Sequence, residues 1–254
     1  MYDVVYIDVI RKYKQILKNR NIVLKEQKFD LLEMYDIPLV KEGLEIQKRR
    51  KKAIFKFNTI FTNRNSHRYK EIIDIAESLN IPLSTTSYAY PQVRLDKDFG
   101  ENTGRMSPLE AAQCTINCEK YRFRNMDFSE RAKRILEEPD DEKCDRVSCR
   151  AGRAAYWITS EGFMQPCGLL PKIQINVLEK GFEDAWNELV AQVKEIRLPK
   201  KCVTCQYSKI CNACAAMCFA ETGHFDQVPD YICQLSKGIY DLTEKDLKEQ
   251  NKTI

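Results

Sequence analysis

Cysteines carry the clearest chemistry in this sequence. All 11 of them follow position 113 of a 254-residue chain. The densest block has Cys-x2-Cys-x5-Cys-x2-Cys spacing and consists of Cys202, Cys205, Cys211 and Cys214. Short loops between cysteines reverse the chain within a few residues, so several thiolates can point at one centre. Ligand sets rich in thiolate suit zinc or iron–sulfur clusters.

The spacing within this block helps to separate those two chemistries. A zinc ribbon needs two Cys-x2-Cys pairs separated by roughly 12–20 residues. Here the gap between Cys205 and Cys211 is too short to wrap one metal from two hairpins. The spacing therefore favours clusters with interleaved ligands, for which further cysteines lie upstream and downstream: Cys144, Cys149, Cys167 and Cys233.

Composition excludes several classes of protein. Apolar residues make up 43% of the chain, which is enough for a buried core, and the net charge of +4 is too balanced to indicate nucleic-acid binding. No apolar stretch reaches the ~18 residues of a membrane span. The start, Met1–Asp8, has neither a basic region nor a small-residue cleavage site, so we expect no secretory signal and a cytoplasmic, reducing environment.

The first half contains one well-defined supersecondary unit. Ala53–Phe61 and Ile81–Tyr90 read as strands, and Asn65 or Ser66 can cap a helix between them that ends at Asn80. A strand, a helix and a strand in so few residues predict parallel strands. Residues 1–53 are hard to interpret, although Val4–Ile10 suggests a strand and Leu39–Arg50 a helix.

Local signals also define elements of the second half. Ser107, Pro108 and Glu110 form a capping box that predicts a helix through about Cys118. A polar segment at 137–142 predicts a domain boundary. Beyond it, we predict a hairpin around Gly162 and a helix whose apolar face runs from Phe182 to Ile196. Residues 241–254 read as a polar tail.

These residues together resemble a known domain. The pattern Cys149-Arg-Ala-Gly-Arg, Gly162-x4-Cys167, the four-cysteine block, Glu221-Thr-Gly and Pro229-Asp-Tyr-Ile-Cys233 is similar to the SPASM domain of radical S-adenosylmethionine (SAM) enzymes. Within that group it resembles bacterial enzymes that mature ribosomally made peptides. Lys56-Phe-Asn-Thr, Asn65 and Tyr90-Pro91-Gln-Val-Arg94 resemble late strands of the partial (β/α)6 barrel that binds SAM.

The resemblance implies an α/β fold and a set of ligands. An incomplete (β/α) barrel remnant over about 53–136 would precede a small cysteine-rich α+β SPASM domain over 141–240. In that family the domain holds two auxiliary [4Fe–4S] clusters. By resemblance the first takes Cys144, Cys149, Cys167 and Cys214, and the second takes Cys202, Cys205, Cys211 and Cys233. The spacing after Cys211 departs from the commoner pattern, so Cys218 is an alternative to Cys214.

Two cysteines stay outside both ligand sets. Cys114 and Cys118 are four residues apart on a predicted helix and therefore face the same way. We interpret them as two small buried side chains, with a redox pair or a substrate contact as the alternative.

A second departure concerns the catalytic cluster. Radical SAM enzymes hold it with Cys-x3-Cys-x2-Cys, and no cysteine precedes Cys114 here. Two interpretations follow: a fragment of a larger enzyme, or a family member without the catalytic half. Because natural proteins avoid the exposed strand edge of a half barrel, we favour the fragment.

The resemblance therefore predicts a role in radical modification of a ribosomally made peptide or protein. This chain would supply auxiliary clusters and part of the barrel wall, without fully binding SAM, and whether it is an enzyme by itself stays open. Expected partners are a peptide or protein substrate, an electron donor such as ferredoxin or flavodoxin, and the missing barrel half; nucleic acid and membrane are not expected. The alternatives are a non-catalytic iron–sulfur protein for electron transfer or peptide docking, and a zinc-binding interaction module.

Overall fold

The computed structural model describes residues 38–49, 55–91, 104–125, 132, 136 and 145–250. Within these ranges the architecture is mixed α/β, with helices and two small sheets. The contacts divide the chain into a unit of Met1–Asn58 with Asp74–Ser84 and a unit of Thr59–Ile73 with Thr85–Ile254. The predicted strand Val4–Ile10 lies outside the described residues. No helix among those described is both long and apolar enough to cross a membrane.

The predicted strand–helix–strand segment is present. After α1 (Pro38–Arg49), the chain forms β1 (Phe57–Ile60), a 3-10 turn (Ser66–Arg68), α2 (Tyr69–Ser78) and β2 (Leu83–Thr86). The amide of Phe57 donates to the carbonyl of Pro82 at 2.9 Å, and that of Phe61 to Thr86 at 2.8 Å. These bonds advance in the same direction along both strands, so the strands are parallel, as predicted.

Both strands are shorter than the sequence suggests, and one helix cap differs. After β2 the amide of Tyr88 donates to the side chain of Thr86 at 3.1 Å, which ends the strand. Asn65 does not cap the helix with its side chain; its Oδ1 accepts from the amide of Thr62 at 2.7 Å. The predicted end of this helix is confirmed, because Asn80 has a φ of 51° in the left-handed region.

The predicted capping box starts α3 (Pro108–Arg122). The Ser107 side chain accepts from the Glu110 amide, and the Glu110 carboxylate accepts from the Ser107 amide at 2.8 Å. The helix continues four residues beyond the predicted end at Cys118. Its buried face includes Ala112 and Ile116.

A second, antiparallel sheet opens the cysteine-rich half. β3 (Trp157–Ile158) pairs with β4 (Phe163–Gln165), and the turn between them has Gly162 at a φ of 85°, as predicted. β4 also pairs with β5 (Ile175–Asn176), a two-residue strand that no sequence pattern indicates. The remaining elements are α4 (Val177–Lys180), α5 (Phe182–Glu195), a 3-10 turn (Lys200–Cys202), α6 (Ala215–Thr222) and α7 (Asp230–Gln250).

The core of this half lies between the sheet and α5. Ala185, Leu189 and Val193 are buried there together with Met164 and Ile175. Phe182, which periodicity places on the same face, is instead 49% exposed, because it is the first residue of the helix. Its ring contacts that of Tyr156 edge to face.

The helix α7 packs along α3. A Cβ at Gly238 would lie 2.9 Å from the Cβ of Ala112, so a glycine is needed for this close approach. Residues 241–250, which composition marks as a polar tail, continue the same helix. Thr243 is fully buried there, and Asp246 pairs with Lys120 of α3.

Candidate metal centre

The first cysteine group comprises Cys149, Cys167 and Cys214, each placed by a turn or a helix end. Cys149 precedes the tight turn at Gly152, Cys167 follows β4, and Cys214 is the N-cap residue of α6. Cys149 and Cys214 act electrostatically on the Cys167 thiol, and all three act on the Tyr90 hydroxyl. The structure thus brings these three predicted ligands together, while Cys144 lies outside the described residues.

Two hydrogen bonds are directed at sulfurs of the first group. The amide of Leu169 donates to Cys167 Sγ at 3.4 Å, and the Tyr90 hydroxyl hydrogen-bonds with the Cys214 thiol. Burial raises the pKa of Cys167, and the Leu169 amide opposes that shift. Burial, followed by the charge of Cys214, also raises the pKa of Tyr90, so its hydroxyl stays protonated and able to donate.

The second cysteine group comprises Cys202, Cys205, Cys211 and Cys233, which line one cavity. Local turns present three of them: Cys202 ends a 3-10 turn, and the Ser208 and Cys211 amides close further turns on the carbonyls of Cys205 and Tyr207 at 2.9 Å. Cys233 lies in the first turn of α7. Burial, then the neighbouring thiols of the group, raises the pKa of Cys233 to about 11.

Cys218, the alternative ligand, lies between the two groups. It is on α6 and only 1% exposed. Burial raises the pKa of its thiol to about 12, with further contributions from Cys202, Cys214, Cys211 and Cys233. One of those neighbours belongs to the first group and three belong to the second.

The chemistry of the donors bears on which metal they fit. Among the described residues, no three His, Cys, Asp or Glu side chains converge closely enough to hold a single metal ion. A structural zinc ion draws its thiolates to about 2.3 Å. In a [4Fe–4S] cluster the four cysteines bind different irons of a larger cage. Thiol donors suit either chemistry.

Cys114 and Cys118 lie apart from both groups, on α3. Their sulfurs are 4.0 Å apart, and both residues are buried, in agreement with the interpretation as small buried side chains. The Cys118 thiol hydrogen-bonds to Cys114; that bond and burial raise the pKa of Cys118.

A polar network that no sequence pattern indicates lies beside the first group. Glu221, near the end of α6, accepts a hydrogen bond from the Tyr88 hydroxyl at 2.7 Å and pairs with Arg105. The Arg105 guanidinium lies 3.6 Å from the ring centre of Tyr231 in α7. The sequence marked Glu221 only as part of a motif, and its partners are 133 and 116 residues away, so no local signal indicates them.

Similarity to known proteins indicates the superfamily of this chain. The chain is 24% identical over 212 residues to "AdoMet-dependent heme synthase" of Methanosarcina barkeri, covering 74% of this chain and 58% of that protein. It is 23% identical over 194 residues to the protein of the same description from Nitratidesulfovibrio vulgaris, covering 69% and 53%. These relatives support the radical SAM superfamily.

This chain spans a little over half the length of the two curated relatives. No family model matches it. No solved structure matches it significantly.

Proposed function

We propose that this chain carries two auxiliary [4Fe–4S] clusters of the SPASM type and serves the radical modification of a ribosomally made peptide or protein. The observation that carries the proposal is the pair of cysteine groups. It is supported by the mutual proximity of Cys149, Cys167 and Cys214 and by the cavity that the second cysteine group lines.

The proposal assigns roles to this chain's own residues. Cys149, Cys167 and Cys214, with Cys144, would hold the first cluster, and the second cysteine group would hold the other. Bound clusters would supply an electron acceptor or a binding site for substrate. The hydroxyl of Tyr90 and the amide of Leu169 would donate to ligand sulfurs, and such hydrogen bonds tune cluster potentials.

Anaerobic reconstitution with iron and sulfide tests the proposal. We expect about eight irons per chain and the broad absorbance near 400 nm of thiolate-bound clusters, from two four-cysteine sites. A protein that takes up zinc and no iron would disprove the proposal and favour the zinc-binding module.

The relatives are named heme synthases, which favours a second candidate, chemistry on a porphyrin precursor of heme. Iron loading does not separate this from peptide modification, because either could use auxiliary clusters. Incubating the loaded chain with a peptide and with a porphyrin, and measuring which one binds, distinguishes them.

The third candidate is an iron–sulfur protein that transfers electrons or docks a peptide without cleaving SAM. It is favoured by the ligand sets proposed above, because a cluster held by four cysteines leaves no iron open to SAM. The loaded chain with dithionite and SAM should then give no 5′-deoxyadenosine above background. Turnover by the chain alone would show that one auxiliary site is open, with Cys144 the first residue to examine.

A further inference from the structure

A cavity of about 200 Å³ lies beside the second cysteine group. One side is formed where the parallel strands end, by Phe61 after β1 and by Thr86–Tyr88 at the end of β2. The other side is formed by α7 and by the loop around Cys211, which contributes Ile210 and Asn212. Ser236 of α7 lines both this cavity and the one that the second group lines. An occupant would therefore lie next to the candidate cluster.

The volume limits the size of an occupant. A buried apolar cavity of about 150 Å³ holds one benzene ring. Drug-sized ligands need roughly 300–1,000 Å³. At about 200 Å³ this cavity accommodates one substituted six-membered ring and is too small for the four linked pyrroles of a porphyrin.

The lining limits the charge of an occupant. About half of the lining residues are apolar, among them Phe61, Ile232 and Leu235, and the described residues that line the cavity include no Lys, Arg or His. The single carboxylic acid among them is Glu119. A carboxylate or phosphate would enter without a cation to pair with, at a large desolvation cost. An anionic occupant is therefore disfavoured.

The hydroxyl groups of the wall limit the hydrogen bonds that an occupant can make. Thr115 Oγ1 donates to the carbonyl of Ala111 at 2.9 Å, so in its hydrogen bond with Ser87 it is the acceptor and Ser87 is the donor. The Ser87 oxygen then keeps lone pairs that can accept from an occupant. Ser87 therefore offers an acceptor to a hydrogen-bond donor on the occupant.

We propose that this cavity binds an uncharged, ring-sized group that carries a hydrogen-bond donor, such as a phenol, with the Ser87 hydroxyl as its acceptor. Identifying that group with a tyrosine side chain of a peptide substrate rests on the proposed function. Binding of the phenol itself does not.

The proposal is tested by measuring how matched small molecules bind to the full chain. NMR saturation transfer and calorimetry provide the measurements. Phenol should bind more tightly than anisole, which has the same ring but no donor, and benzoate and a porphyrin should not bind in the cavity. Ser87→Ala should weaken phenol about fivefold, the effect of one lost hydrogen bond, and leave anisole unchanged.

A second variant tests the cavity independently of the Ser87 substitution. Ile239→Phe, at a partly buried position of the wall, should fill the cavity and abolish phenol binding, whereas Leu178→Phe, at a site 80% exposed, should not. Phenol binding that survives Ile239→Phe, or equal binding of anisole and phenol, would overturn the proposal. Iron content is measured on each sample: phenol binding without iron uptake would refute the clusters alone, and iron uptake without phenol binding would refute the cavity alone.

Discussion

The hydroxyl of Tyr88 donates a 2.7 Å hydrogen bond to the carboxylate of Glu221, across 133 residues of sequence. Tyr88 follows β2, and Glu221 belongs to α6, whose N-cap residue is Cys214. Arg105 pairs with the same carboxylate. This network therefore fixes α6, and with it a thiol of the first cysteine group, to the segment that contains Tyr90.

Replacing Glu221 should destabilise the fold. In Glu221→Ala, Arg105, whose side chain is only 22% exposed, loses its carboxylate partner. We expect the free energy of unfolding to fall by about 2 kcal/mol, below the cost for a fully buried pair because Arg105 keeps some solvent contact. Denaturant titration measures this loss.

The matched control for that variant is Glu244→Ala. It breaks an exposed pair with Lys248, whose atoms are 3.1 Å apart, and should cost less than about 1 kcal/mol. Equal losses in the two variants would show that the Arg105–Glu221 pair contributes no more than a surface pair.

Tyr88 should make stability depend on pH in the alkaline range. Burial, and then the bond to Glu221, raises the pKa of Tyr88 above its ordinary value. Above about pH 10 tyrosine ionises in the unfolded chain but not at this folded site. The unfolded state then holds fewer protons, so stability is present below that pH and is lost as the pH rises.

Tyr88→Phe should accordingly flatten the decline of the free energy of unfolding above about pH 10. Denaturant titrations at several alkaline pH values measure the slope. Tyr156→Phe, at a position 46% exposed, is the control and should keep the wild-type slope. A Tyr88→Phe profile parallel to wild type would contradict the assigned cause.

Two cysteine variants separate ligands from buried packing residues. Cys205→Ala should lose about half of the reconstituted iron and destabilise the cysteine-rich half, because metal binding there contributes folding energy. Cys118→Ala should leave iron content unchanged, since Cys118 lies with Cys114 on α3. Iron analysis of both proteins provides the measurement, and a halved iron content in Cys118→Ala would show the ligand assignment to be wrong.

Thiol accessibility provides a test that needs no iron signal. In the folded, metal-free protein, iodoacetamide should modify the exposed Cys149 first among the described cysteines and Cys114, Cys118 and Cys218 last, because these three are 6%, 4% and 1% exposed. Peptide mapping by mass spectrometry gives the order. Loading with iron should protect Cys149 and leave the α3 pair as before; unchanged labelling of Cys149 after loading would remove it from the ligand set.

The sequence predicts those parts of the fold that rest on local signals. The start of α3 follows from Ser107 and Glu110, and the hairpin follows from Gly162 between two apolar runs. β5 is too short to carry a period, and the exposure of Phe182 depends on where α5 begins.

Within the site, cysteine spacing predicts which thiols can share a turn. It cannot predict the partners of Tyr90 or Glu221, or the 200 Å³ cavity, because these depend on segments that meet only in the folded chain. The cysteine ligand sets and the domain boundaries stay predictions.

The close contact between Gly238 and Ala112 lets α7 couple the position of Cys233 to α3. The helix carries Cys233 in its first turn and, less than two turns later, presses on α3 without an intervening side chain. Binding of Cys233 to a metal would restrain the first turn of α7. It would thereby also restrain the contact of α7 with α3. Amide hydrogen exchange in α3 should therefore slow when metal binds, so that a helix holding no predicted ligand reports on occupancy of the second group.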